Sequence, residues 1–503
     1  MRKNYSIVSK LASLILAVGM LFSLTSCEDI LGKWESPSPI VNKVINTIVD
    51  VTGATPEAVT AALQAAITDE AVAAAAAKGE PIKIIVSTSA GIGTETADKT
   101  ITIPQKNGAN IEISFAAAPT GTTSEPLEFK AESGAGSASA EKENELAIAM
   151  PDAIGLVITI DLPKTTVTLT TTGTNTVYKS VTAKTAQQTL TIAKGVKVET
   201  LNAEGGSIVV KDGVVGTINV SKAAGTVSLD LLNGESPVEK LVIEDEADVV
   251  FNSTHSQGEP FVKEIEGGTE GSAKLRFNEF EYVDNTDFDG NNGFLASVEK
   301  LKNVTVAIFD KNEKSGREVG WSELSNVPTD VENVTFDAAE VRFRTPGAIV
   351  MKISDNNGKF YPEYQTPTKA STTIKNCTFR GKRGASPYNK PNRIYINIPA
   401  TWEEEGTTFT YTFESCNIID ENRTNSLYVS CPSPDNAKIQ ELYIVFTGCK
   451  YNDVDLSNIS EIIPDANSMA IPEGVTVFVK VGDTTYKRIF ADDNYHFTTN
   501  LNY

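Results

Sequence analysis

The residue types best suited to bind a ligand cluster between Ser354 and Glu405. This stretch combines aromatic rings, which stack on sugar rings, with Arg and Lys side chains, which bind hydroxyl and carboxylate groups. The candidate ligand-binding residues are Tyr361, Tyr364, Arg380, Lys382, Arg383, Tyr388, Arg393 and Trp402. The pattern predicts a glycan-binding surface. The alternative is that the rings pack loops onto the fold while the cations are solvated.

A second group of side chains offers oxygen ligands for a metal ion. Asn285, Asp287 and Asp289 occupy alternate positions and precede Gly290, which resembles the first half of a calcium-binding loop. The twelfth position is Ala296 instead of Glu, so the bidentate ligand is missing, and a solvated turn is the alternative. The sequence indicates no organic cofactor and leaves calcium as the one candidate ion.

Residues suited to catalysis are harder to find. His255 and His496 are the two histidines, and neither has a nucleophile nearby in the sequence, so no Ser-His-Asp grouping is predicted. The five cysteines form no CxxC pair, which gives no support to a zinc site. We therefore leave enzymatic activity open but expect a protein that binds its ligand without converting it.

The charge of the chain limits its partners. Lys and Arg number 44 against 65 Asp and Glu, and the formal net charge is -21. Nucleic acids need a basic footprint, so we expect no nucleic-acid partner. The same charge argues against an anionic polysaccharide that covers the whole surface, although a local basic loop can still bind one.

The N-terminus predicts export and a lipid anchor. An apolar run from Leu11 to Leu24, too short to span a bilayer comfortably, ends in the sequence Leu24-Thr25-Ser26-Cys27. This closely resembles the lipobox of bacterial lipoproteins. The resemblance implies that residues 1–26 are a signal peptide and that Cys27 receives the lipid.

The residues that follow Cys27 predict the location of the protein. Residues 27–37 have the composition of a tether, and Glu28-Asp29 resembles the surface-export signal of Bacteroidetes lipoproteins. We therefore expect an outer-membrane protein, anchored to the membrane by lipid, that faces the cell exterior. The periplasmic leaflet is the alternative.

Residues 38–79 predict a small helical cap. The apolar residues of Ile40 to Val51 fall on one helical face. Thr55 and Pro56 form a good helix start, and Gly79 ends the Ala-rich run that follows. Beyond this segment, residues 80–188 alternate between apolar and polar positions with a period of two, which predicts an N-terminal β region.

Two series of short repeats extend along the rest of the chain, residues 189–503. The first series comprises Val198–Leu201, Val215–Ile218, Val238–Leu241, Val262–Ile265 and Val298–Leu301. The second comprises Asn303–Val306, Asn333–Phe336, Asn376–Phe379, Ser415–Ile418 and Gly448–Tyr451. Each repeat can bury its apolar face only against its neighbours, so the repetition predicts a solenoid of stacked β turns.

Stacking the second series places its apolar residues in interior columns. One predicted column is Val304, Val334, Cys377, Cys416 and Cys449, and the next is Val306, Phe336, Phe379, Ile418 and Tyr451. Because side chains alternate along a strand, Thr305, Thr335 and Thr378 should face outward. The Asn that opens three of these repeats should adopt a left-handed backbone at the bend. The cysteines are expected to be small buried thiols, although adjacent turns also permit a disulfide.

This rhythm, as in Ile374–Gly381, resembles the right-handed parallel β-helices of the pectate-lyase-like class. The resemblance extends from about Pro81 to Phe497 and implies a mainly β solenoid capped by the N-terminal helices. A leucine-rich-repeat-like solenoid is the alternative. The function that we expect is glycan or surface-protein binding, with a polysaccharide lyase or glycoside hydrolase on the same scaffold as the alternative.

Overall fold

The computed structural model describes most of the chain from residue 46 onward. The described residues are 46–50, 55–87, 99–117, 126–132, 143–232, 238–251, 262–277, 298, 300–308, 321–327, 330–337, 340–346, 349–353, 360–364, 371–380, 393–397, 407–419, 427–430, 439–471 and 474–502.

Two helices precede most of the strands. Helix α1 spans Pro56–Ala66 and helix α2 spans Asp69–Lys78. The Thr55 side chain accepts a hydrogen bond from the Ala58 backbone N–H, and Gly79 ends α2 in the left-handed conformation, as the sequence predicts. Helix α1 packs on the start of the second sheet described below, and α2 packs on the first sheet, which agrees with a role as a cap.

The expected helix over residues 40–51 is wrong where the structure describes it. Residues Asn46–Asp50 form strand β1, which pairs in parallel with the strand Ile82–Ser87. The backbone hydrogen bonds of the sheet therefore override the helical spacing of the apolar side chains in this segment.

Two sheets of 16 strands each form the body of the described structure. The first sheet contains β1, β2 (Ile82–Ser87), β4 (Asn110–Phe115), β6 (Asn144–Met150), β8 (Thr165–Thr171), β10 (Gln188–Ile192), β12 (Ser207–Lys211), β14 (Thr226–Leu232), β16 (Asp248–Phe251), β18 (Ala273–Phe277), β20 (Val304–Ile308), β23 (Thr335–Asp337), β28 (Thr378–Arg380), β31 (Asn417–Ile419), β34 (Lys450–Tyr451) and β35 (Val454–Asp455). The second sheet contains β3 (Thr100–Ile103), β5 (Leu127–Ala131), β7 (Ala153–Asp161), β9 (Thr176–Ala183), β11 (Val196–Ala203), β13 (Val214–Val220), β15 (Val238–Ile243), β17 (Val262–Gly267), β19 (Lys300–Lys302), β22 (Asp330–Glu332), β27 (Ser371–Lys375), β30 (Thr407–Glu414), β33 (Ile439–Thr447), β36 (Thr476–Val481), β37 (Thr484–Ala491) and β38 (Asn494–Thr498).

Nearly all neighbouring strands of these two sheets are parallel, and the chain alternates between the sheets. The pairing β8–β10–β12 continues without interruption past position 188, so the N-terminal β region and the repeats share one ladder. The protein is a parallel β-helix. Each turn supplies a strand to both sheets, which excludes the leucine-rich-repeat alternative, since such repeats build one parallel sheet.

The two series of sequence repeats are the two sheets. The first series forms inner columns of the second sheet, in which Val198 pairs with Val215 and Leu241 pairs with Ile265. The second series lies in the first sheet. Asn303 joins the two where β19 ends and β20 begins, which explains why the two motifs overlap in residues 298–309.

The bend between the sheets is left-handed, as predicted. Asn303, Asn333 and Asn376 have φ values of 56°, 55° and 52°, and Ser415 and Gly448 occupy the same bend in the next turns. The Asn333 Nδ2 atom donates a hydrogen bond to Asn303 Oδ1 over 3.0 Å, so these side chains also connect adjacent turns.

The predicted interior columns are confirmed. Val306 pairs with Phe336, Phe336 with Phe379 and Phe379 with Ile418, and all four side chains are buried. Tyr451 continues this column but is only partly buried. The column of Val304, Val334, Cys377, Cys416 and Cys449 is also buried, and the three cysteines are free thiols.

A third sheet and a hairpin accompany the C-terminal turns. The third sheet is parallel and contains β21 (Trp321–Val327), β24 (Glu340–Pro346), β29 (Arg393–Asn397) and β32 (Leu427–Ser430). The hairpin consists of β25 (Ile349–Ile353) and β26 (Phe360–Tyr364), which pair antiparallel. These turns therefore pass through three faces in succession.

The C-terminal end of the described core is closed by residues 454–502. Ile459, Ile462 and Met469 are buried, and the Leu427 N–H donates to the Ile462 carbonyl at the open side of β32. The antiparallel strands β37 and β38 then end the second sheet. Covering the last turn in this way removes exposed apolar surface and free edge hydrogen bonds.

Candidate functional site

The structure places part of the predicted ligand-binding set around the third sheet. Tyr361 and Tyr364 lie in β26, which is inserted between β24 of the third sheet and β27. Arg380 ends β28, the strand that precedes the third-sheet strand β29, and Arg393 begins β29. The remaining predicted residues of this set lie outside the described residues: Lys382, Arg383, Tyr388 and Trp402.

The other two predicted sites cannot be placed. Asn285, Asp287 and Asp289, the candidate calcium ligands, lie outside the described residues, as does the lipidation residue Cys27. Within the described part of the chain, no group of three or more His, Cys, Asp or Glu side chains converges as a metal site.

The register of the third sheet aligns ligand-binding residue types on one face. Ile394 and Ile396 of β29 are buried, as are Leu427 and Val429 of β32. Because residues alternate along a strand, the positions between them belong to the opposite, outer face. Tyr395 is one such position, and it pairs in register with Tyr428.

Two register columns define this outer face. The first column is Trp321, Glu340 and Arg393, and the second is Glu323, Arg342, Tyr395 and Tyr428. We call these seven positions the third-sheet face. Only Arg393 belongs to the set predicted from the sequence. The alternation Arg-Ile-Tyr-Ile-Asn of β29 was the signal for the others, and it identifies a strand with one polar face.

Arginine is concentrated in the same turns. Seven of the ten Arg residues of the protein lie between Arg317 and Arg423, as do two of its three Trp residues. A guanidinium group is planar and binds carboxylate or sulfate groups with two parallel hydrogen bonds, which an ammonium group cannot do. These turns therefore carry the residue types of a recognition site.

The outer face of the second sheet has a different chemistry, because its charges pair with one another. Lys240 Nζ lies 2.7 Å from Glu266 Oε2, Lys300 Nζ lies 3.4 Å from the same atom, and Lys302 Nζ lies 3.1 Å from Glu332 Oε2. The residues of this ladder follow the strand register from turn to turn. We call this arrangement the ionic ladder.

The ionic ladder stabilises its carboxylates in the charged form. The hydrogen bond from Lys240 lowers the pKa of Glu266, and the charges of Lys240 and Lys300 add to this effect. Each partly exposed pair contributes little to stability, about 0–1 kcal/mol. The ladder therefore keeps this face charged but neutral overall, and its cations are not available for a ligand.

The buried cysteine column is chemically inert. The Cys416 thiol lies between those of Cys377 and Cys449, and its Sγ contacts the Ile374 carbonyl oxygen at 3.3 Å. The hydrogen bond with Cys377 raises the pKa of Cys416 to about 12, and burial adds to the effect. Because the thiolate is the reactive form, these side chains fill space instead of acting as nucleophiles.

An aromatic cluster near the C-terminus was not predicted. Arg488 lies 3.5 Å from the ring centroid of Tyr495, and its guanidinium donates to the Ala466 and Met469 carbonyl oxygens. Phe490 is 62% exposed and contacts the Tyr495 ring edge-on. Arg488 thus holds the end cap in place, and desolvation lowers its pKa.

The fold defines the class of the protein as a parallel β-helix with a third sheet in its C-terminal turns. No match was found among protein-family models, curated proteins or solved structures. Within the part of the chain that the structure describes, no helix is both long and apolar enough to cross a membrane.

Proposed function

We propose that the protein is a lipid-anchored protein of the outer membrane that faces the cell exterior and binds a glycan without converting it. The lipobox-like sequence that ends at Cys27 supports the anchor, and Glu28-Asp29 supports the exterior location. Two or more acyl chains hold a protein firmly at a membrane, whereas one gives marginal binding.

The observation that carries the binding proposal is the position of the third sheet. It occurs in the turns that hold the predicted aromatic and basic residues, and Arg393 lies within it. Strands held in register by a solenoid fix the spacing of their side chains. Such a preorganised surface loses little conformational entropy when a long ligand binds.

Binding without conversion is favoured by the state of the described carboxylates on the second sheet. A general acid at neutral pH needs a raised pKa, as in glycoside hydrolases. Glu266 has a lowered pKa because it accepts a hydrogen bond from Lys240. Glu332 and Glu414 likewise lie within 4 Å of Lys nitrogen atoms.

A glycan panel tests the binding proposal. The full chain in detergent is screened for binding to mucin-type, plant cell-wall and glycosaminoglycan polysaccharides, and reducing-end release is measured with and without calcium. We expect saturable binding to at least one glycan, weakened by Arg393→Ala, and no release of products. Turnover that is lost on Arg393→Ala would establish the lyase or hydrolase alternative. Binding to a surface protein alone would replace the glycan proposal.

The anchor is tested separately. Cys27→Ala should abolish incorporation of labelled palmitate and release the protein from the membrane fraction. Protease added to intact cells should cleave the wild-type protein if it faces the exterior. Protection from protease until the outer membrane is permeabilised would place it in the periplasmic leaflet.

A further inference from the structure

We propose that the third-sheet face binds a polyanionic glycan, a polysaccharide whose sugars carry carboxylate or sulfate groups. This inference depends on the proposed function and adds the charge of the ligand and the strand positions that recognise it. It is carried by the distribution of charge along the chain, the choice of Arg over Lys, and the register of the third sheet.

The sign of the charge reverses in the turns that build the third sheet. Residues 342–393 contain eleven Lys and Arg residues against two acidic ones, Asp355 and Glu363, in a chain whose formal net charge is -21. The rest of the protein repels an anionic polymer, so this segment is where such a ligand can approach. A basic patch within an acidic surface both attracts the ligand and fixes where it binds.

The basic residues of the third sheet differ from those of the ionic ladder. The ladder uses Lys, and the pairs Lys240–Glu266 and Lys302–Glu332 show that each Lys has a carboxylate partner. The third sheet uses Arg at positions 342, 344 and 393. Arg is the residue suited to planar carboxylate and sulfate groups, because its fork makes two parallel hydrogen bonds.

The register supplies acidic neighbours to two of these arginines without exhausting them. Arg342 pairs with Glu323, and Arg393 pairs with Glu340. A guanidinium group has five N–H donors, and a bidentate carboxylate accepts two of them. The acidic positions are therefore suited to orienting the arginines, while the remaining donors stay available for a ligand.

The aromatic positions favour a sugar polymer over other polyanions. Tyr395 and Tyr428 are register partners on adjacent strands, about 4.8 Å apart in the hydrogen-bonding direction. Trp321 shares a column with Arg393 through Glu340. Rings beside cations match the alternation of apolar faces and charged groups along an anionic glycan. A nucleic acid is the rival ligand, and its phosphates would be read by charge alone.

The test measures binding of the full chain to matched polymers. A polyuronate, a sulfated glycosaminoglycan and their carboxyl-reduced or desulfated forms are compared with single-stranded DNA by titration calorimetry. The double variant Arg342→Gln/Arg393→Gln should weaken binding to the anionic glycan about a hundredfold, since each charged contact is worth about tenfold. The matched control Lys240→Gln/Lys300→Gln removes equal charge from the second sheet and should change the affinity less than threefold.

The outcomes separate this inference from the proposed function. Equal losses in both double variants, or equal affinity for the neutral polymers, would overturn the anionic assignment and leave glycan binding intact. No binding to any glycan would reject both. DNA bound more tightly than every glycan would assign the face to nucleic acid. Arg342→Lys/Arg393→Lys, which keeps the charge and the sheet, should lose about tenfold and thereby show that the loss is not one of folding.

Discussion

Replacing Phe413 with alanine removes a ring from the interior column of the second sheet. Phe413 in β30 is fully buried, between Ile374 of the preceding turn and Phe446 of the next. Its ring stacks on that of Phe446 with 5.0 Å between the centroids and meets that of Phe379 edge-on at 6.0 Å. The side chain therefore contributes both to apolar burial and to contacts between successive turns.

The expected loss of local stability is large. Burying and then deleting a Phe side chain costs about 3–5 kcal/mol in a protein core. The two ring contacts of Phe413 add about 0.5–1.5 kcal/mol each beyond burial, which places this site in the upper part of that range. We therefore expect Phe413→Ala to lower the free energy of local unfolding by about 4 kcal/mol.

Hydrogen exchange is the appropriate assay because a solenoid does not unfold as one unit. In a stacked array each turn contacts only its neighbours, so destabilisation should remain near the mutated turn. A loss of about 4 kcal/mol corresponds to exchange about a thousandfold faster in β27, β30 and β33. Exchange in β8, β10 and β12, which are many turns away, should remain unchanged.

The matched control is Phe490→Ala, which removes the same side chain from a position that is 62% exposed. It should leave exchange in β30 unchanged. Uniformly faster exchange from β8 to β33 in the Phe413 variant would refute the nearest-neighbour reasoning. An effect no larger than that of Phe490→Ala would refute the assignment of Phe413 to the dry interior.

Three further predictions concern the bend, the ionic ladder and the cysteine column. Asn333→Ala should lower local stability by about 1 kcal/mol, measured by hydrogen exchange, because Ala is strained at a φ of 55°, and Asn333→Gly should cost less. Glu266 has a lowered pKa, so its contribution to stability should be present above the ordinary Glu pKa and lost as pH falls through the lowered one; Glu266→Gln should flatten that decline in urea unfolding. Cys416, whose pKa is raised to about 12 by Cys377, should resist iodoacetamide at about pH 8 until the protein is unfolded in guanidinium.

Each of these three has an outcome that contradicts it. Equal stability of the Asn333→Ala and Asn333→Gly variants would remove the role of left-handed backbone at the bend. A Glu239→Gln control, which breaks an exposed pair with Lys263, should leave the acid limb unchanged, and an equal effect would show that the ladder is not special. Rapid labelling of native Cys416, or its recovery in a disulfide, would contradict the buried-thiol assignment.

The interior of the solenoid could be predicted from the sequence because register is coded locally. Each short repeat places two apolar residues two positions apart, and one left-handed Asn or its equivalent fixes where the turn begins. A shift of one residue would expose the whole apolar set, so only one stacking is compatible with burial. The columns that end in Cys449 and Tyr451 follow from this constraint alone.

The first strand could not be predicted in the same way. The apolar spacing of residues 40–51 satisfies a helix, but Asn46–Asp50 also meets the free edge of β2. Pairing with an existing sheet supplies backbone hydrogen bonds that no local pattern reveals. The same limit applied to the third sheet, whose four strands are far apart in the sequence and share no repeated motif.

The length of each turn nevertheless contains a rule for the third sheet. Register partners in the second sheet are 17 residues apart from Leu201 to Ile218 and 24 apart from Leu241 to Ile265, where the turns supply two strands. The spacing rises to 30 residues from Leu301 to Val331, and this turn contains β21.

A third strand of five residues needs about 16 Å of chain plus two bends, so a turn must gain roughly ten residues to hold one. The turn from Ile374 to Phe413, 39 residues long, has ample room for β29 and its connections. Turn length thus decides where the solenoid acquires a third face. In this protein the longer turns are also those that concentrate Arg and aromatic residues, which is the pattern expected when extra chain is retained to build a binding surface.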